Sequence, residues 1–162
     1  MAMLALLSIN VSGAHNSNAS NNTPSQLKPV IDGYFDIKDA LVKSDSKTAA
    51  AKSKDLLTAI SAVKMESLTE SEHNAWMKVM GDLNRDAKTI SETQDIKKQR
   101  QALKALSQNT YTLLKASQTE SPVYYNHCPM VDANWLSRES GIKNPYYGSQ
   151  MLTCGKTVET IK

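Results

Sequence analysis

Five side chains that could bind a metal are concentrated near the C-terminus of the chain. His127, Cys128 and Met130 supply an imidazole, a thiol and a thioether within four positions, and Met151 and Cys154 add a second thioether and a second thiol. Sulfur ligands combined with histidine suit a soft ion such as Cu(I) better than a hard cation, because polarizable ligands match polarizable ions. These residue types predict a metal site in this segment, with a copper ion as its cofactor.

The two cysteines of the chain have two interpretations, a disulfide or a pair of metal-binding thiolates. A bridge between Cys128 and Cys154 would close a loop of roughly 25 residues and contribute about 3.5 kcal/mol to stability in the chain-entropy picture. An oxidised pair cannot offer thiolates to a metal. The redox state would therefore decide whether the site can be occupied.

A second group of potential ligands lies in a segment with helical periodicity. His73, Met77 and Met80 are spaced at i, i+4 and i+7, so they share one face of a helix and could meet the C-terminal ligands. The alternative is that Met77 and Met80 fill the core beside Trp76 and Leu83, as methionine on an apolar stripe usually does.

The sequence gives little indication of an enzyme, and no catalytic residue is predicted. His127 is adjacent to Cys128, and neighbouring residues of an extended chain project to opposite sides, so His127 is poorly placed as a base for a cysteine nucleophile. There is no Ser-His-Asp pattern, no phosphate-binding glycine loop and no Cys-x-x-Cys-His haem motif. Thiol-redox activity at Cys128 remains the one enzymatic alternative.

Composition and charge argue against a nucleic-acid partner. The chain has 162 residues and a formal net charge of +3, from 19 Lys and Arg against 16 Asp and Glu. This excess is small and scattered. The densest basic run, which contains Lys97, Lys98, Arg100 and Lys104, predicts a solvated helix face.

The N-terminal residues predict export. Residues 1–14 form an apolar stretch that ends in Ser12-Gly13-Ala14, which is typical of a secretory signal, although no Lys or Arg precedes it and its start is therefore expected to be incomplete. Residues 15–26 are rich in Asn and Ser and predict a flexible linker. No other stretch is apolar enough to span a membrane. We expect one periplasmic or otherwise exported domain over residues 27–162.

Apolar residues recur at helical spacing in four segments. These run from Pro29 to Lys43, from Asp45 or Ser46 to Ala62, from the capping box Thr69-Glu70-Ser71-Glu72 to Ser91, and from Thr93–Asp95 to Ser117. Short polar links usually leave consecutive helices as neighbours. The sequence predicts an all-α fold, an antiparallel four-helix bundle, with residues 122–156 packed on it as an irregular, aromatic-rich segment in which Asn144-Pro145 and Gly148 form turns.

Three motifs, in this order, resemble a known family: Glu72-His73-Asn74-Ala75-Trp76-Met77, His127-Cys128-Pro129-Met130 and Met151-Leu152-Thr153-Cys154-Gly155-Lys156. From about Val30 to Lys162 the chain resembles a bacterial family of domains of unknown function, which occur alone as exported proteins and at the C-termini of heavy-metal efflux adaptor subunits. The resemblance implies an extracytoplasmic helical domain linked with copper or silver handling. Relatives carry additional histidines where this chain has Lys88, Thr89, Lys97 and Ala102, so any role of those histidines does not apply to this chain.

These observations predict a periplasmic copper-binding accessory protein. It would sequester Cu(I) or pass it to an efflux adaptor or another envelope protein through its C-terminal sulfur ligands. The alternative is a disulfide-stabilised interaction module that binds another envelope protein and uses no metal.

Overall fold

The structure is a computed structural model, and it describes residues 25–162. The predicted signal, residues 1–14, and residues 15–24 of the predicted linker lie outside the described residues. Within the described range, no helix is both long enough and apolar enough to cross a membrane.

Four α-helices make up the first part of the described chain, as the apolar periodicity predicts. They are α1 (Lys28–Val42), α2 (Ser46–Ser61), α3 (Glu70–Ser91) and α4 (Ile96–Ala116), and a short 3-10 turn, Met65–Ser67, precedes α3. Each helix packs against the next one along the chain, and α1 also packs against α4. The helices therefore share one core, whose fully buried side chains include Leu41, Leu56, Leu83, Ile90, Leu103, Leu106 and Leu113.

Side-chain caps fix where three of these helices begin. Asp45 accepts a hydrogen bond from the Thr48 backbone N–H at the start of α2, and Asp95 does the same for two N–H groups at the start of α4. Thr69 and Glu72 form a reciprocal capping box at the start of α3. Each cap satisfies N–H groups that have no partner within the helix, so the helix starts follow from the sequence.

The C-terminal part of the chain forms a three-stranded antiparallel sheet. Its strands are β1 (Val123–Cys128), β2 (Ala133–Ser137) and β3 (Lys156–Ile161), in the order β2-β1-β3. The prediction of an all-α fold with an irregular C-terminal segment is therefore wrong. The strands are short, and β3 has an extra residue, Val158, opposite Tyr125 and Asn126 of β1. Both faces of β1 carry buried residues, so its burial does not show the simple alternation that would predict a strand.

One face of the sheet packs against the helices. The Tyr125 ring of β1 stacks on Tyr111 of α4, with 4.2 Å between the ring centroids. Tyr34 of α1 is fully buried, and its hydroxyl accepts a hydrogen bond from the Leu136 N–H of β2 (3.0 Å) and pairs with the Ser107 hydroxyl of α4 (2.8 Å). These contacts join the sheet to two helices.

The connection between β2 and β3 packs against Trp135 of β2, whose ring meets that of Tyr146 edge to face. Trp135 projects from the face of β2 opposite to that of Leu136, because side chains alternate along a strand, and it is fully buried. Gly155, just before β3, lies directly against the Trp135 ring. This packing brings the connection, and Cys154 within it, close to the end of β1.

Candidate functional site

The two cysteines meet at one end of the sheet. Cys128 is the last residue of β1, and Cys154 lies two positions before β3. Both thiols are free, and their Sγ atoms are 3.7 Å apart. This separation is far longer than a sulfur–sulfur bond of about 2.05 Å. It is close to the separation of about 3.8 Å between two sulfurs that bind one tetrahedral ion at about 2.3 Å each.

The hairpin turn after β1 brings backbone N–H groups close to Cys128. Cys128 pairs with Ala133 across the hairpin, so residues 129–132 form the turn, and Asp132 adopts a left-handed conformation (φ 44°) that aspartate tolerates well. The backbone N–H groups of Met130 and Val131 lie beside the Cys128 sulfur and favour its thiolate form, which lowers the pKa of this thiol. The turn thus places two backbone N–H groups near one thiol.

The two thiols differ in acidity. Burial raises the pKa of Cys128, but hydrogen bonds from the Val131 N–H, the Asn144 side chain and the Met130 N–H outweigh it and hold the pKa below the ordinary cysteine value. Burial and the neighbouring Cys128 sulfur raise the pKa of Cys154. Cys128 is therefore the first of the pair to lose its proton.

Asn144 connects the two cysteines, a role that the sequence did not reveal. Its side chain is fully buried and donates through Nδ2 to the Cys154 carbonyl (2.8 Å), and it also lowers the pKa of Cys128. Its backbone N–H donates to the Leu152 carbonyl (2.8 Å), and its Oδ1 accepts from the Tyr146 N–H (2.8 Å). The Asn-Pro pattern predicts a turn here but gives no sign of burial against two thiols.

Two basic residues anchor the segments that carry the thiols. Arg100 of α4 donates to the Pro145 carbonyl (2.8 Å) and the Leu41 carbonyl (3.1 Å), and Lys104 donates to the Val131 carbonyl of the hairpin turn (3.0 Å). The prediction of a solvated face is therefore wrong for Arg100 and Lys104. Helix α4 instead fixes the residues beside Asn144 and the turn that surrounds Cys128.

The packing of Cys154 against the sheet requires a glycine at the next position. Gly155 has a φ of +138°, and a Cβ atom there would lie 2.6 Å from Cη2 of Trp135 and 2.9 Å from the His127 carbonyl oxygen. Real Cβ atoms do not approach so closely, and residues with a side chain rarely adopt this φ. Gly155 thus allows Cys154 to reach Cys128.

The other three predicted C-terminal ligands lie around this pair. Met130, in the hairpin turn, is 64% exposed, and Met151 is half-buried. His127 lies on the face of the sheet opposite to Cys128, where its Nδ1 is 2.7 Å from Oδ1 of Asn134. Within residues 25–162, no three or more His, Cys, Asp or Glu side chains are grouped as a metal site. The thiol pair is therefore the centre of the candidate site.

Comparison with known families assigns the helical part of the chain to one of them. A model described as protein of unknown function (DUF3347) matches residues 30–122, more than half of the chain. The chain belongs to this family. Searches of curated proteins and of solved structures found no match.

The DUF3347 match covers α1 from Val30 onward and all of α2, α3 and α4, and it ends at Pro122, immediately before β1. The thiol pair and the whole sheet therefore lie after the matched region. His73, Met77 and Met80 lie inside it, on α3.

The three α3 side chains do not join the thiol pair. His73, Met77 and Met80 are all exposed on the surface of α3, whereas the buried residues of this helix face α2 and α4. The alternative interpretation of Met77 and Met80 as core residues is therefore wrong. Trp76 and Val79, their sequence neighbours, occupy the buried face instead.

Proposed function

We propose that this DUF3347 protein binds a soft metal ion, Cu(I) in the first place, through Cys128 and Cys154. The observation that carries the proposal is the separation of 3.7 Å between the two free sulfurs. At this distance both thiolates can bind one ion without a large rearrangement of the backbone.

The hydrogen bonds to Cys128 support the same function. A metal binds cysteine as the thiolate, so it competes with a proton for each sulfur. Because the Met130 and Val131 N–H groups and Asn144 hold the pKa of Cys128 low, the competing proton is bound less tightly there. The proton competes more strongly at Cys154, whose pKa is raised.

Thioethers are available to complete the coordination. Met130 belongs to the turn that surrounds Cys128, and Met151 precedes Cys154 by three residues. Methionine is unbranched and flexible, so either side chain can reorient toward an ion held by the two thiolates. We include Met130 and Met151 in the proposed ligand set. We leave out His127, because it faces the other side of the sheet.

The proposed biological role is that of an exported accessory protein in copper efflux or sequestration. It is supported by the predicted signal at residues 1–14 and by the resemblance to domains that occur at the C-termini of heavy-metal efflux adaptors. The transfer partner would be such an adaptor or another envelope protein. This role is separate from metal binding and needs its own test in cells.

The metal-binding proposal is tested by titrating the reduced protein with Cu(I) against a chromogenic chelator. We expect the Cys128→Ser/Cys154→Ser variant to lose competition with the chelator, while His127→Ala retains it. Circular dichroism shows whether each variant is folded. Equal affinity of the double variant and the wild-type protein would rule the proposal out.

A disulfide-stabilised interaction module without metal is the second candidate. The same sulfur proximity favours it, because adjacent thiols can be oxidised to a bridge by exchange with another disulfide, which is reduced to two thiols. Mass spectrometry without reductant distinguishes the candidates, since the bridged form is lighter by two hydrogen atoms. A pair that is fully oxidised, resists mild reductant and purifies without metal would favour this candidate.

A further inference from the structure

Methionine is excluded from the core of the described structure. Met65, Met77 and Met80 are 44%, 53% and 38% exposed, Met130 is more exposed still, and Met151 is half-buried. Methionine is ordinarily among the residues most often buried. The core of the helices is built mainly from leucine, isoleucine, alanine and aromatic side chains instead. The thioethers of residues 25–162 are thus accessible to solutes rather than used for packing.

Two of these exposed methionines share a helix face with a histidine. His73, Met77 and Met80 follow one another along the outer face of α3 at spacings of four and three residues. Residues so spaced have Cβ atoms about 5–6 Å apart, so their side chains can touch a common ligand. A Cβ atom at the neighbouring Gly81 would meet no other atom within 4 Å, which leaves the helix surface there open.

We propose that His73, Met77 and Met80 form a second soft-metal site, on the surface of α3. An imidazole and two thioethers are neutral, polarizable ligands, which suit monovalent Cu(I) or Ag(I) better than hard divalent cations. His73 and Met80 are separated by about 10 Å along the helix axis, so Met77 between them is the ligand that any bound ion must share. This site does not depend on the proposed thiol site.

The α3 site differs from the thiol site in its response to oxidation. Formation of a Cys128–Cys154 disulfide would remove both thiolates from metal binding. It would leave the ligands of α3 unchanged, because they contain no thiol. The α3 site would therefore continue to hold Ag(I) after the disulfide has formed.

The test uses the full chain with isotope-labelled methionine methyl groups, both cysteines alkylated, and Ag(I) as the probe. We expect Ag(I) to shift the methyl NMR signals of Met77 and Met80 at substoichiometric addition, while the signal of Met65 stays in place. Met77→Leu should abolish the shift at Met80. Met65→Leu, which removes an equally exposed methionine outside the cluster, should leave it unchanged.

Three results would overturn the proposal. Met77 and Met80 signals could move no more than that of Met65, which would indicate non-specific thioether binding. The Met80 shift could survive in Met77→Leu, or shifts seen with free thiols could be absent once the cysteines are alkylated. A Cys128→Ser/Cys154→Ser variant that binds Ag(I) only at α3 would support this site and separate its outcome from that of the thiol site.

Discussion

At the scale of single residues, the candidate site depends on an asymmetry between two thiols. Cys128 is fully buried yet has a lowered pKa, because N–H donors of its own hairpin turn and Asn144 stabilise its thiolate. Cys154 has a raised pKa, because it is partly buried and adjacent to the Cys128 sulfur. The two groups are in contact, so they titrate as a pair.

This asymmetry predicts two steps in the thiolate absorbance of the wild-type protein as the pH rises. The first step should lie below the ordinary cysteine pKa, and Cys128 should carry the larger share of the thiolate formed in it. Cys154→Ser should retain this early step, and Cys128→Ser should lose it. An early step that persists in Cys128→Ser would show that the assignment is reversed.

Gly155 offers a second prediction at this scale. In Gly155→Ala, the new methyl group would collide with the Trp135 ring, and the φ of +138° would be strained, so Cys154 should move away from Cys128. We expect Cu(I) affinity to fall about tenfold to hundredfold, the usual loss when a group that orients a metal ligand is changed. Gly141→Ala is the matched control, because its Cβ would meet no atom within 4 Å. Equal affinities of the two variants would contradict the role of Gly155.

At the scale of elements, the helices could be predicted from the sequence and the sheet could not. Each helix combines a long apolar repeat with local signals, such as the Thr69 capping box or Pro29 in a first turn, and these signals act within a few residues. The strands are five or six residues long, and although β1 and β2 form a hairpin, β3 pairs with β1 from about 30 residues further along the chain. Burial of the polar Asn126 in β1 depends on that pairing and leaves no periodic pattern in the sequence.

The α3 capping box gives a prediction for an element. Thr69→Ala removes the hydroxyl that accepts from the Glu72 N–H, so one N–H of the first helical turn loses its partner. The free energy of unfolding should fall by about 1 kcal/mol in urea titrations. Thr89→Ala, in the interior of the same helix, should have little effect, because alanine favours a helix interior. A loss of stability in Thr89→Ala that matches the loss in Thr69→Ala would argue against capping.

At the scale of the whole molecule, the sequence identified the residue types of the candidate site but not their arrangement. Cys128 and Cys154 are evident as sulfur ligands from the sequence alone. Their proximity depends on the packing of the sheet against the helices. It also depends on the hydrogen bond from Arg100 to the Pro145 carbonyl and on the contact between Gly155 and the Trp135 ring. These are tertiary contacts between residues far apart in the chain, which periodicity and motif spacing do not encode.

The hydrogen bonds by which Tyr34 connects the helices to the sheet provide the last prediction. The Tyr34 hydroxyl is fully buried, accepts from the Leu136 N–H and pairs with the Ser107 hydroxyl. In Tyr34→Phe both groups remain buried without this partner, so the free energy of unfolding should fall by about 1–3 kcal/mol. Tyr124→Phe is the control, since Tyr124 of β1 is half-buried and belongs to the sheet that Tyr34 contacts. Equal urea midpoints for both variants would show that the Tyr34 hydroxyl does not stabilise the contact between the helices and the sheet. A fall in the free energy of unfolding in Tyr34→Phe but not in Tyr124→Phe, together with weaker Cu(I) binding, would show that the packing of the sheet against the helices also sets the geometry of the thiol pair.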